Sequence, residues 1–140
     1  MSSPLLIALG EYGNTSVNGS VNNPNVLKYF SEIGHSWVKD DDTPWCAAFL
    51  SWVLLRANRG SPKTLLARKF LEYGQPTTIP ETGDIVVLWR IKKEGPYGHC
   101  GLFIKETAKG IFVLGGNESG MVRISEYPKY QLLGYRKINA

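Results

Sequence analysis

The chain has 140 residues, 43% of them hydrophobic and 20% charged, with a net charge of +4. That length predicts one domain, residues 1–140, with a core large enough to stand without disulfide or metal staples. No stretch approaches the roughly 20 apolar residues of a membrane span, and the densest basic patch, Arg90, Lys92 and Lys93, is too short for a nucleic-acid tract.

Residues 1–10 lack a charged n-region and carry only a short apolar run, so no secretory signal is read there; the alternative is a signal already trimmed away. Four dipeptides then punctuate the first half: Ser3-Pro4, Asn23-Pro24, Thr43-Pro44 and Ser61-Pro62. Each sets a capping side chain before a proline, the signature of a helix start with proline at the first helical position. Helical apolar spacing follows. The first segment is short and ends by Gly13. After Pro24 come Val26, Leu27, Phe30 and Ile33. After Pro44 come Ala47, Leu50, Val53, Leu54 and Ala57. After Pro62 come Leu65, Leu66 and Phe70, with an end near Gly74.

From Gly83 the period changes. Ile85–Trp89 is a continuous apolar run, consistent with a central strand buried on both faces. His99–Ile104, Ile111–Leu114, Met121–Ile124 and Leu132–Tyr135 are further strands, separated by turns short enough to make neighbours antiparallel. Helices followed by strands predict an α+β domain: N-terminal helices packed on a C-terminal antiparallel sheet of about five strands, with the helix over 43–58 against it.

Three residues carry candidate chemistry. With Thr43 as cap, Cys46 falls at the third helical position, among free N–H groups and at the positive dipole end, where a thiolate is favoured. A small buried core cysteine is the plainer alternative. His99 opens a strand. Alternation sets His99, Gly101 and Phe103 on one face and Cys100, Leu102 and Ile104 on the other. Gly101 leaves room there for the helix end carrying Cys46, and Cys100 reads as core. Since adjacent strand residues diverge, Cys46, Cys100 and His99 do not make a metal site. Asn117 follows Gly115-Gly116 and is placed to accept a proton of the imidazole, the orienting role of a Cys-His-Asn arrangement. Glu118 is its rival, and a simple turn residue is the alternative. His35 reads as a helix-end residue.

The motifs Thr43-Pro44-Trp45-Cys46-Ala47-Ala48-Phe49, Gly83-Asp84-Ile85-Val86-Val87-Leu88, Gly98-His99-Cys100-Gly101-Leu102-Phe103 and Leu114-Gly115-Gly116-Asn117, in that order, resemble those of the papain-like peptidoglycan hydrolases of the NlpC and CHAP type. The similarity is greatest to a small branch seen in phage lysins and bacterial toxins, and it runs from about Glu11 to Arg136. It implies a papain-like core with Cys46 as nucleophile, His99 as base and Asn117 as orienting residue. Two positions depart from the pattern: Cys100, where a β-branched aliphatic is expected, and Glu118, where glutamine is usual.

The implied reaction is hydrolysis of an amide in the cell-wall stem peptide, as an endopeptidase or an N-acetylmuramoyl-L-alanine amidase. A catalytically silent cell-wall-binding module and an acyltransferase are the alternatives on the same fold. Substrate contacts are expected from Trp45, Glu11, Asp42, Tyr97 and Glu118, with Trp37 and Trp89 near the same loops. No metal and no cofactor is called for. The partner is peptidoglycan and the chain a monomer; a toxin would add an immunity protein or a secretion apparatus. The protein would be made in the cytoplasm and act on the wall after delivery by another system.

Overall fold

The computed structural model describes residues 3–16, 23–39 and 44–139. The expected cap Thr43 and the candidate contact Asp42 lie outside the described residues. Two of the proline-marked helices form as read. Helix α1 spans Pro4–Gly10, with the Ser3 hydroxyl accepting from the Leu6 N–H, and α2 spans Pro24–Ser31, with the Asn23 side chain accepting from the Asn25 N–H at 2.8 Å.

Helix α3 spans Cys46–Arg56 and starts later than its proline suggests: Trp45 is the N-cap and Cys46 the first helical residue. The shift keeps the N–H of Cys46 in the first turn, where it has no intrahelical acceptor. Every residue from Cys46 to Leu54 is buried. A helix buried all round is apolar all round; α1 and α2 cover one side of α3 and the sheet covers the other.

The fourth proline signal fails as an α-helix start. Ser61 turns its hydroxyl to the Ser51 carbonyl and the Lys63 N–H, and Lys63 takes a left-handed φ of 51°. Such a residue breaks helix propagation, so only a 3-10 turn forms, at Ala67–Glu72.

The sheet has six strands among the described residues: β1 (Gln75–Thr77), β2 (Ile85–Trp89), β3 (Gly98–Glu106), β4 (Ile111–Glu118), β5 (Met121–Tyr127) and β6 (Leu132–Lys137). The expectation of about five missed β1, a three-residue edge strand with no apolar pattern to announce it. The order is β1-β6-β2-β3-β4-β5, and every pair is antiparallel. The domain is thus α+β. Ile85, Val87, Cys100, Leu102 and Leu114 face the helices, whereas Val86, Leu88, Phe103, Ile111 and Val113 form a second cluster with Tyr135. No helix among the described residues is long and apolar enough to cross a membrane.

One irregularity matters for the site. Between β4 and β5, Gly115 pairs with Arg123 and Glu118 with Met121. Three steps on β4 match two on β5, so β4 carries a one-residue bulge, with Asn117 at φ 59°. A bulge shifts the pleat by one, so Glu118 rather than Asn117 takes the face of Gly115.

Candidate active site

Cys46, His99 and Glu118 meet at the junction of α3, β3 and β4. Gly116 permits that meeting. A Cβ there would stand 2.6 Å from Phe49 Cβ and 2.9 Å from the Trp45 ring, so only glycine lets the helix start settle this close to the sheet. The close approach is therefore not at Gly101, as strand alternation suggested. The space beside Gly101 is filled by Val113 and the Leu114 backbone of the neighbouring strand. Gly115 serves the imidazole: a Cβ on it would lie 2.7 Å from Glu118 Oε2 and 3.3 Å from His99 Nε2.

His99 is 5% exposed, and its Nε2 lies 2.5 Å from Glu118 Oε2. A carboxylate only accepts, so Nε2–H is the donor. Tyr127 donates its hydroxyl to the other oxygen of Glu118 and stacks its ring on the imidazole, centroids 5.2 Å apart. The orienting position expected of Asn117 is thus held by Glu118, and the bulge is the reason. Asn117 instead lines a cavity beside Cys46.

With Nε2 committed to Glu118, Nδ1 is the nitrogen left for the hydrogen bond between His99 and the Cys46 sulfur. A second bond to that sulfur comes from Cys100. Cys100 was expected to face only the core; it is fully buried, but its thiol donates to Cys46. The Cys46 pKa falls well below the ordinary thiol range, first through this bond from Cys100, against burial, and with the help of the His99 charge. His99 moves the other way. Burial opposes its charge, but the Cys46 thiolate and Glu118 together raise it to about 10. Both shifts favour the thiolate–imidazolium form of the pair.

The signs give a pH prediction. Cys46 has a lowered pKa, so its reactivity fails only as pH falls through that lowered value. His99 has a raised one, so its proton is lost only as pH rises through about 10. Alkylation of Cys46 by iodoacetamide should level off at a lower pH than that of an ordinary thiol, which speeds up about tenfold per pH unit below its pKa, and should then stay level until His99 loses its proton. A rise that follows an ordinary thiol's pH profile would contradict the ion pair.

Cys46 lines two depressions. One, about 210 Å³, is mostly apolar and lined by Pro44, Leu65, Leu66, Ala67, Pro96 and Tyr97; the other, about 410 Å³, is polar and includes His99, Asn117, Ser119, Tyr127 and Gln131. Arg90 belongs to both, and among the described residues no carboxylate lines either. A third depression of about 540 Å³, lined by His35, Lys63, Lys69 and Glu72 among others, shares Leu65 and Leu66 with the apolar one. The three depressions are thus neighbours through shared walls, Leu65 and Leu66 on one side and Cys46 and Arg90 on the other.

Of the expected substrate contacts, Tyr97 is 60% exposed and lines the apolar hollow. Trp45 is fully buried, stacked on Tyr29 at 5.7 Å, and is a core residue. Glu11 accepts from the Tyr29 hydroxyl at 2.7 Å and pairs with Lys28 at 2.7 Å, away from the hollows around Cys46. Glu118 is 1% exposed and faces His99, so it is unavailable to substrate. Trp37 and Trp89 line neither hollow.

Sequence reasoning missed two arginines. Arg90 follows β2, and only the fold brings it beside Cys46. Arg68 donates to the carbonyls of Lys92, Lys93 and Tyr97 at 2.8–3.0 Å and so pins the loop that walls the apolar hollow. Neither belongs to a sequence motif.

No family model and no curated protein matches the sequence. Among solved structures, the fold is similar to a crystal structure described as similar to lipoprotein, NLP/P60 family, from Staphylococcus aureus subsp. aureus Mu50. The TM-score is 0.58 at 16% identity, over 98% of this chain and 40% of that chain. The chain thus spans less than half of that protein's length, and what the two share is the NLP/P60-type fold.

Proposed function

We propose that this chain is a papain-like cysteine hydrolase that cuts an amide of the peptidoglycan stem peptide. The observation that carries the reading is the buried Cys46–His99–Glu118 array at the start of α3, open to substrate through the two hollows that Cys46 lines. The NLP/P60-type fold and the motif order support the substrate class.

In this mechanism the Cys46 thiolate attacks the scissile carbonyl. The free N–H of Cys46 at the first helical position donates to the oxyanion. His99, on the side of the polar hollow, gives its Nδ1 proton to the leaving amine, while Glu118 holds the ring through Nε2–H. Water, deprotonated by the neutral imidazole, then clears the thioester. Arg90, which lines both hollows beside Cys46, would attract a substrate carboxylate flanking the scissile bond.

The test is to add purified protein to cell-wall sacculi and identify the soluble fragments by mass spectrometry. New stem-peptide termini mark an endopeptidase, and free lactyl groups with intact stems an amidase. Binding without release of fragments would overturn the reading.

The Arg68 clamp yields a prediction of its own. Arg68→Ala should free the 92–97 loop and raise KM by roughly 3–10-fold, about 0.7–1.4 kcal/mol, with a smaller change in kcat. Steady-state kinetics on a soluble muropeptide would show it. An equal fall in kcat at unchanged KM would mean the loop acts on the chemistry instead.

A further inference from the structure

Among the described residues, the hollows on the two sides of the nucleophile share only Cys46 and Arg90. A chain that crosses from one hollow to the other therefore passes the sulfur and this arginine together. Three other cations are committed within the fold. Arg68 holds the carbonyls of Lys92, Lys93 and Tyr97, Arg136 holds those of Tyr73 and Gly74, and Lys137 pairs with Glu81 and Asp84. The guanidinium of Arg90 has no hydrogen bond and no ion pair among the described residues, and none of them brings a carboxylate into either hollow to neutralise it.

The backbone that carries Arg90 is held in a strained turn. Its N–H donates to the Tyr97 carbonyl at 3.1 Å, and its own carbonyl accepts from the Lys92 N–H at 2.7 Å. Ile91, between the two, stands at φ 70° with its side chain 77% exposed. A bond across one residue of positive φ is a γ-turn of the rare, strained kind, and a β-branched residue suits it poorly. Burial of Ile91 does not offset the strain, because that side chain is in solvent. The three bonds from Arg68 to the far limb of the same loop hold the turn in place. Strain that the surroundings over-determine in this way clusters at functional sites. Here it fixes the point from which the Arg90 side chain enters the hollows.

We propose that Arg90 selects substrates by charge: it binds a free carboxylate on a residue flanking the scissile amide, so that stems in which this carboxyl is amidated are poor substrates. A guanidinium offers a planar fork of donors that matches both oxygens of a carboxylate. A carboxamide in the same place has lost the charge and turns its NH2 toward the fork, donor against donor. A site built for one polar group rejects the analogue that leaves its own group unpaired.

This selectivity rests on the proposed hydrolase, so binding is measured apart from cleavage. The probes are a soluble muropeptide and derivatives in which one stem carboxyl at a time is converted to carboxamide. The wild-type chain is assayed on each at steady state, and each is titrated by calorimetry into Cys46→Ala. One derivative should show KM and Kd raised about 10-fold, the size of a charge-assisted bond in screened surroundings, with kcat within about threefold. With Arg90→Gln, alone for KM and combined with Cys46→Ala for Kd, the parent and that derivative should agree within about twofold. Arg90→Lys, which keeps the charge without the fork, should restore part of the difference. The proposal is overturned if no derivative is distinguished in either measurement, or if Arg90→Gln still discriminates. Discrimination in binding without cleavage of any probe would sustain the carboxylate site and overturn the hydrolase. Cleavage of every probe with equal KM would do the reverse.

Discussion

Replacing Cys46 with alanine should abolish the proposed wall hydrolysis and leave the fold standing. Alanine suits the first turn of α3 as well as any residue, and His99 keeps its bond to Glu118. What is lost is the one sulfur that, among the described residues, lines the two hollows. Removing a nucleophile from a cooperating set costs about 10⁶-fold in turnover, which on sacculi is background. The check pairs fragment release with thermal unfolding by circular dichroism. Activity in a clean preparation of Cys46→Ala would end the cysteine mechanism, whatever the fate of the other residues.

Glu118→Ala should be the second most damaging change. It removes a buried carboxylate that holds the charged imidazole. Where a buried carboxylate orients a catalytic histidine, corrupting it costs about 10⁴-fold. The expectation here is a fall of about 10²–10⁴-fold in kcat, or about 2.7–5.4 kcal/mol of barrier. Asn117→Ala, one residue away, should stay within about threefold of wild type, because its neighbour, not its own amide, holds the ring. A purely structural role for Glu118 is excluded by a second reading. Without the carboxylate the alkaline loss of activity should move below the value near 10 that His99 holds. If Asn117→Ala is the crippled variant and Glu118→Ala is not, the carboxylate is structural and the bulge has been misjudged.

The helices and the central strands were legible because their signals are local. A capping side chain before proline marked α1 and α2, and apolar runs marked β2 through β6. Segment 62–66 was not, because a hydroxyl bonded across the fold to Ser51 competes with the cap role of Ser61. In the site, Cys46 and His99 stood out by residue type and motif order. The third residue did not, since a bulge moves Glu118 into register by a pairing with β5 that no stretch of β4 announces. Trp45 and Glu11 were misread for a related reason. An aromatic ring or an acid near a motif says nothing of whether it faces a hollow or a neighbour such as Tyr29. Cys100 was read as core, but on the face opposite the one expected to receive the Cys46 helix; it faces the helices instead, because α3 packs over Gly116 and not over Gly101.

The bonded series from Tyr127 through Glu118 and His99 to Cys46 has a consequence for when the Cys46 thiol becomes reactive. Cys46 leaves the ribosome well before β3, β4 and β5 exist. Until the β4–β5 hairpin closes, no carboxylate holds His99 and no imidazolium faces the sulfur. A nascent or half-unfolded chain therefore carries an ordinary thiol, inert toward amides near neutral pH. In the proposed mechanism reactivity switches on only once that hairpin has closed, and its opening switches it off.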